Sequence, residues 1–338
     1  MQGFYDERQT AHDPKFYLRA GRQIPSPEQP ARAAALKAGA EAAGVRFASP
    51  PDAGIGPIAA VHTSEYLHFL QTIHARWTAM PNASAEVIPN IHPARRTDSY
   101  PSAPVGLAGY HQADTSCVIT AQTWSSAYWS AQTAIAAADA VSAEGPVYAL
   151  CRPPGHHCFT DLAGGFCYLN NAAIAAERLR AKGKRVAILD IDVHHGNGTQ
   201  GIFYARGDVL TVSIHADPEG FYPFFWGHAQ ERGEGAGLGA NLNLPLVMGS
   251  DTAAFLGALD HALKRIAAFG PDVLVIAAGL DAHEEDPFQG LKVTTEGFTE
   301  IGARIAQAGY PTLLVQEGGY LSDALSRNLT ALLGGFGT

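Results

Sequence analysis

The segment Ala187-Ile188-Leu189-Asp190-Ile191-Asp192-Val193-His194-His195-Gly196-Asn197-Gly198 decides how this chain is read. An apolar, β-branched run passes straight into two aspartates and two histidines, then dissolves into glycine. Residues two apart on a strand face the same side, so Asp190, Asp192 and His194 are expected on one face as the strand ends. Carboxylates with an imidazole suit zinc and its first-row neighbours, iron and cobalt among them. Ligands of a parallel α/β sheet bind at the carboxyl ends of its strands. The segment therefore places a metal site at a plausible address.

Working outward, Val147–Leu150, Arg185–Ile191, Val209–His215, Val273–Ala278 and Thr312–Gln316 read as short buried strands. Asn170–Lys182 and Asp251–Phe269 between them read as helices. Apolar runs alternating with helices point to an α/β fold, a mostly parallel multi-stranded sheet with helices on both faces. Earlier, Ala31–Ala43 and Ser64–Trp77 read as helices, whereas Met80–Trp124 is proline-rich and weakly periodic. A stretch that long without structure usually has a task, here a lid or an oligomer contact. Residues 216–240, rich in glycine, read as a second long loop. No repeat or linker divides residues 1–338, so one domain is expected.

The chain has 338 residues, 46% of them apolar and 16% charged, which fits a large core rather than disorder. The net charge of −9 argues against nucleic acid as a partner. The start, Met1-Gln2-Gly3-Phe4, lacks a signal-peptide pattern, and no apolar run is long enough for a membrane span. The four cysteines Cys117, Cys151, Cys158 and Cys167 show no C-x-x-C spacing. Reduced thiols in a cytoplasmic protein are expected.

A catalytic zinc usually keeps three protein ligands and an open position. Asp281, past the strand Val273–Ala278, is the third candidate beside Asp192 and His194. Arg152-Pro153-Pro154-Gly155-His156-His157 carries two adjacent histidines on a rigid loop, poor material for a core. Imidazole is the natural acid–base group near neutral pH. Each histidine needs a partner on its other nitrogen, and Asp190 and Asn197 are the candidates. The charged partner should raise the pKa of its histidine and the neutral one should not. Tyr320, in Glu317-Gly318-Gly319-Tyr320, can donate to an oxyanion. His62, His68, His74 and His283 are expected to be structural, and Cys151 and Cys167 small buried residues.

The segments Arg152–His157, Gly165-Phe166-Cys167-Tyr168-Leu169-Asn170-Asn171, Leu189–Gly198, Ala278-Gly279-Leu280-Asp281 and Glu317–Tyr320 occur in order. Together they resemble the zinc-dependent histone deacetylase family, of the arginase/deacetylase fold. The N-terminal part, with Gly21–Ala33, Val61-His62 and Tyr66–Leu70, is similar to the bacterial acetylpolyamine amidohydrolase branch. So is the stretch from Arg95-Arg96 to Trp124. In that branch the stretch is an insertion, about residues 80–124 here, that pairs two subunits and narrows a tunnel.

The resemblance implies a zinc amidohydrolase acting on small cationic acetylated amines, acetylpolyamines above all, as a homodimer. Asp192, His194 and Asp281 would hold zinc. His157 would be general base and then acid, with His156 the electrostatic partner and Asp190 and Asn197 behind the pair. Tyr320 would hold the oxyanion. Phe166 and Tyr222 would flank the tunnel, with Tyr17, Asp114, Gly165 and Gly318 as further substrate positions. Structural potassium would use Asp190, main-chain carbonyls of Asp192 and His194, and Ser213; a second would lie near Phe203, Arg206 and Val209. The polyamine branch meets ammonium groups with glutamates in the insertion, but between Pro101 and Trp124 the only acid is Asp114. Asp98, Asp114 or the run Glu284-Glu285-Asp286 would have to substitute, and Tyr222 carries a hydroxyl where phenylalanine is common. A protein lysine deacylase shares this chemistry and differs at the mouth of the site. A non-catalytic metal-binding sensor needs no complete acid–base set. A manganese ureohydrolase needs a second aspartate cluster, where this chain has Asn197.

Overall fold

The computed structural model describes residues 1–96 and 99–337. Its strands in chain order are β1 (Gln2–Phe4), β2 (Phe16–Arg19), β3 (Arg22–Pro25), β4 (Arg46–Ala48), β5 (Val147–Ala149), β6 (Val186–Asp190), β7 (Val209–Ala216), β8 (Asn241–Leu246), β9 (Val273–Ala278) and β10 (Thr312–Gln316). Eight of them form one sheet in the order β4-β1-β5-β10-β9-β6-β7-β8. Every pairing in it is parallel. β2 and β3 form a separate antiparallel hairpin. This is the α/β architecture expected from the sequence.

Both faces of the sheet are buried, and alternate residues feed separate cores. Val186, Ile188, Val275, Ala277 and Val315 pack under the helices Ser64–Thr78, Thr123–Ala140 and Asn171–Arg180. Ala187, Leu189, Leu274, Ile276 and Leu314 face the helices Ala31–Ala42, Thr252–Phe269, Thr295–Gln307 and Leu325–Gly334. Helix starts follow local chemistry: Thr63, Asn170 and Asp251 each accept a main-chain N–H of the first turn.

The stretch from Met80 to Trp124 is not structureless. It contains the helix Pro104–His111, and Val87 bridges Ile119. β6 ends at Asp190, short of the Ile191 expected from the sequence. It lies between β9 and β7, with Asp190 in register with Ala277 and Ser213. The metal candidates thus lie at the centre of the sheet's carboxyl edge.

Candidate active site

Four adjacent strands, β5, β10, β9 and β6, send their following loops to one place. Because β6 stops at Asp190, strand alternation does not position Asp192 and His194. A ladder of side-chain to main-chain hydrogen bonds does so instead. Asp190 Oδ1 accepts the Asp192 N–H at 3.0 Å, and Asp192 Oδ1 accepts the His194 N–H at 2.9 Å. Each aspartate thereby folds the next two residues back over the strand end. Asp281 enters from the loop after β9, and its Oδ1 accepts the Val193 N–H at 2.9 Å.

The three side chains converge. His194 Nδ1 lies 3.1 Å from Asp192 Oδ1 and 3.2 Å from Asp281 Oδ2. One ligand atom from each residue falls within 4.8 Å of the others, and all three residues are buried. Gly318 explains how they come so close. A Cβ there would lie 2.2 Å from Asp281 Oδ2, and its N–H donates to Asp192 Oδ2 at 2.8 Å. Gly318, expected among substrate contacts, donates its N–H to Asp192 and accepts the Leu280 N–H at its carbonyl.

This donor set fits a divalent cation. Burial and the neighbouring Asp192 push the Asp281 carboxyl up to about 6. Burial opposes a charge on His194, yet the hydrogen bonds it donates to Asp192 and Asp281 overcome it and raise the imidazole to about 9. Two buried carboxylates thus demand positive charge at this point. A metal ion supplies that charge and leaves the imidazole neutral as a ligand.

The twin histidines face this cluster. Their ring centroids are 4.0 Å apart. His156 Nδ1 lies 2.9 Å from Asp190 Oδ2, and His157 Nδ1 lies 2.7 Å from Asn197 Oδ1. Burial disfavours a charge on His156, but Asp192 and Asp190 outweigh it and hold its pKa well above the usual value. Burial, with positive charge at His156 and His194, holds His157 well below. Environment thus separates two adjacent, identical side chains.

Aromatic rings surround the group. His194 stacks on Phe221 at 4.9 Å and meets Phe288 edge-on at 5.1 Å. Tyr222 lies edge-on to His157 at 4.9 Å. Phe166 contacts Tyr320 at 6.0 Å, Phe288 at 6.5 Å and Tyr17 at 5.5 Å. Gly165, at φ +50°, passes so close to His157 that a Cβ would sit 2.3 Å from its Cδ2. Burial pushes the Tyr320 phenol well above its ordinary pKa, so it stays protonated and able to donate.

A sequence model of the histone deacetylase domain matches residues 26–336. The chain belongs to the histone deacetylase family. Within that family it is 50% identical over 342 residues to the acetylpolyamine amidohydrolase of Burkholderia pseudomallei, covering 100% of this chain and 99% of the relative. It is 43% identical to acetylpolyamine amidohydrolase 1 of Pseudomonas aeruginosa, covering 99% of each. The crystal structure of an acetylpolyamine aminohydrolase from Burkholderia pseudomallei superposes with a TM-score of 0.96 at 49% identity, covering 100% of this chain and 98% of that one.

Other expected positions of this histone deacetylase relative fall as follows. Asp114 Oδ2 accepts from the Tyr222 hydroxyl at 2.7 Å and from the Gly165 N–H at 3.1 Å. Asp98 lies outside the described residues. Glu284 and Glu285 are exposed, but Asp286 is buried and accepts the Tyr320 N–H at 2.9 Å. Ser213 Oγ pairs with His215 Nδ1 at 2.8 Å and, with Asp190, lines a small cavity. The Phe203 ring and Val209 are core residues, and the Arg206 guanidinium is turned to Glu177 and Asp208. His62 precedes its helix and bridges Thr160 and Asn170. His68 lies on that helix, and His74 pairs with the Ala85 carbonyl. His283 accepts the Glu285 N–H. None of the four belongs to the clusters able to hold a metal among the described residues.

Two supports escaped the sequence reading. Glu317 Oε2 accepts the N–H groups of Gly155 and His156 at 2.6 and 3.0 Å, so the loop of Tyr320 braces the loop of the histidines. Glu28 lies fully buried between Arg32 and Arg152 at 2.7 and 2.8 Å. Arg32 in turn donates to the carbonyls of Glu317 and Gly319, and its guanidinium lies 4.8 Å from the Tyr320 ring. Glutamate and arginine next to proline, Pro27-Glu28 and Arg152-Pro153, were the available signal.

Proposed function

We propose that this protein hydrolyses the amide of small acetylated amines, acetylpolyamines foremost, releasing acetate and the free amine. The observation that carries this is the pair of adjacent histidines, one paired with the Asp190 carboxylate and the other with the Asn197 amide oxygen, beside the Asp192–His194–Asp281 cluster. Full-length relatives bearing the name acetylpolyamine amidohydrolase support the substrate class.

Asp192, His194 and Asp281 would hold a single divalent cation, zinc first, with iron or cobalt suited to the same donors. Such an ion polarises a carbonyl and lowers the pKa of water to about 7. The remaining chemistry belongs to the chain. His157 donates its Nδ1 proton to Asn197, which leaves Nε2 free to take a proton from the attacking water. Tyr320 donates its hydroxyl proton as a hydrogen bond to the developing oxyanion. His156, kept charged by Asp190, stabilises negative charge without moving a proton. His157 then returns its proton to the leaving nitrogen. Phe166, Tyr17 and Tyr222 serve as apolar walls for the substrate chain.

Potassium beside Asp190 and Ser213 belongs to the same reading, as a structural ion beneath the site. The second potassium, near Phe203, Arg206 and Val209, belongs to it as well. So does a single domain whose insertion pairs two copies, where exposed Ile91 and Tyr100 need cover. No helix among the described residues is long and apolar enough to cross a membrane, consistent with a cytoplasmic enzyme.

The test is acetate release by the zinc-loaded protein from N-acetylputrescine and from an acetyl-lysine peptide, with light scattering for mass. Preference for the diamine and a mass of two chains are expected. Preference for the peptide turns the reading to protein deacylation, and no release from either overturns it.

A further inference from the structure

Three segments meet at one carboxylate oxygen outside the acid–base set. Asp114 Oδ2 accepts from the Gly165 N–H and from the Tyr222 hydroxyl. Its other oxygen accepts the Ser116 N–H at 2.7 Å, which fixes the carboxylate. The segment of Asp114 is well anchored: Ala113 donates to the Ala163 carbonyl at 2.7 Å, Ala163 to that of His111 at 2.8 Å, and Thr115 Oγ1 to that of Leu18 at 3.0 Å. Tyr222 belongs to the long loop between β7 and β8. Its ring stands edge-on to His157, and its hydroxyl lies where a Cβ on Gly164 or Gly165 would meet it at 3.3 or 3.0 Å.

A phenylalanine would give the same apolar wall, so the hydroxyl needs a separate reason. Burying it costs free energy unless it is bonded, and a bond to a carboxylate is stronger than one between neutral groups. Burial and Asp114 both raise the phenol's pKa, so it remains a donor. Through Asp114 the bond therefore ties a long loop to the Gly-Gly-Phe segment that carries Phe166.

We propose that the Tyr222–Asp114 hydrogen bond is a clamp setting the width of the substrate passage beside His157, which makes both residues specificity-determining. The clamp rests on the amidohydrolase reading. It admits an unbranched alkyl chain between Tyr222 and the Phe166 wall and disfavours a broader one, because widening the passage must break a charge-assisted bond. Asp114 acts through Tyr222 and Gly165 as a positioning residue.

The test compares kcat/KM of the metal-loaded full chain on N-acetylputrescine and on N-acetyl-p-xylylenediamine, which keeps both amine groups but replaces the butyl chain by an aryl ring. Wild type should favour the slender amide. Tyr222→Phe and Asp114→Ala should each reduce that preference about tenfold, the worth of one such bond, and the double variant should reduce it no further. A merely structural role lowers both substrates alike and leaves the ratio where it was. An unmoved ratio in folded Tyr222→Phe, additive losses in the double variant, or no preference in wild type would overturn the clamp while the hydrolysis stands. If Asp114→Ala fails to fold, Tyr222→Phe decides alone. Wild type that releases no acetate from N-acetylputrescine removes the underlying reading and the clamp with it.

Discussion

His156 and His157 are neighbours in sequence with ring centroids 4.0 Å apart, yet one Nδ1 faces the Asp190 carboxylate and the other the Asn197 amide oxygen. Two like rings that close cannot both carry charge in a buried site. The difference between an acid and its amide decides which one does.

Replacing Asn197 by aspartate should erase that asymmetry. His157 would gain a charged partner and its depressed pKa would rise. The base would then be protonated over more of the neutral range, and the acid limb of the kcat/KM profile should move up by about one pH unit or more. An unmoved acid limb would remove His157 from the role of base.

Tyr320→Phe should keep bound metal while kcat falls about 10²- to 10³-fold, the worth of one oxyanion donor. Metal content by elemental analysis separates this from a collapsed site. Near-wild-type turnover would show that the phenol does not hold the oxyanion.

Legibility in the sequence followed the physics of each element. The boundaries of β9 and β10 were readable to the residue, because the apolar run of β9 ends at Gly279 and that of β10, Leu313–Val315, is followed closely by Glu317-Gly318-Gly319. β1 and β4 have three residues each and offer no periodicity to detect. The helix Thr123–Ala140 was invisible for the opposite reason: it is buried on nearly every side, so its alanine-rich sequence shows no polar face. The metal candidates and the partners of the histidines were legible from side-chain chemistry, even though alternation wrongly put Asp192 and His194 on the strand. Glu28 and Glu317 were not, since a carboxylate that holds main-chain N–H groups or arginines looks in sequence like any surface acid.

Metal removal should make stability depend on pH in one direction. His194, raised to about 9, stabilises the folded metal-free protein below its unfolded pKa, and that contribution is lost as pH rises through about 9. Asp281, raised to about 6, likewise favours the folded state only while protonated, and its contribution is lost as pH rises through about 6. A bound cation replaces both protons. The Tm gap between metal-loaded and chelated protein should therefore widen as pH rises from 3.8 to about 6 through Asp281, and again from 6.5 to about 9 through His194. A constant gap would mean that the cation does not replace protons at these residues.

Glu28→Gln should destabilise the fold strongly. It leaves the buried guanidinium groups of Arg32 and Arg152 without their shared carboxylate. Breaking one side of a buried ion network costs about 3–5 kcal/mol. Denaturant unfolding measures it, and a loss under about 1 kcal/mol would mean that water or main chain compensates the arginines.

The proposed hydrolysis needs a divalent ion held by Asp192, His194 and Asp281 acting with His157 on an acetylated amine. The direct measurement is titration of chelated protein with zinc while acetate release from N-acetylputrescine is followed. Activity should rise linearly and break at a single ion per chain, and Asp192→Asn should abolish both the break and the activity. Full activity in the chelated protein, or a saturated site that releases no acetate, would contradict it.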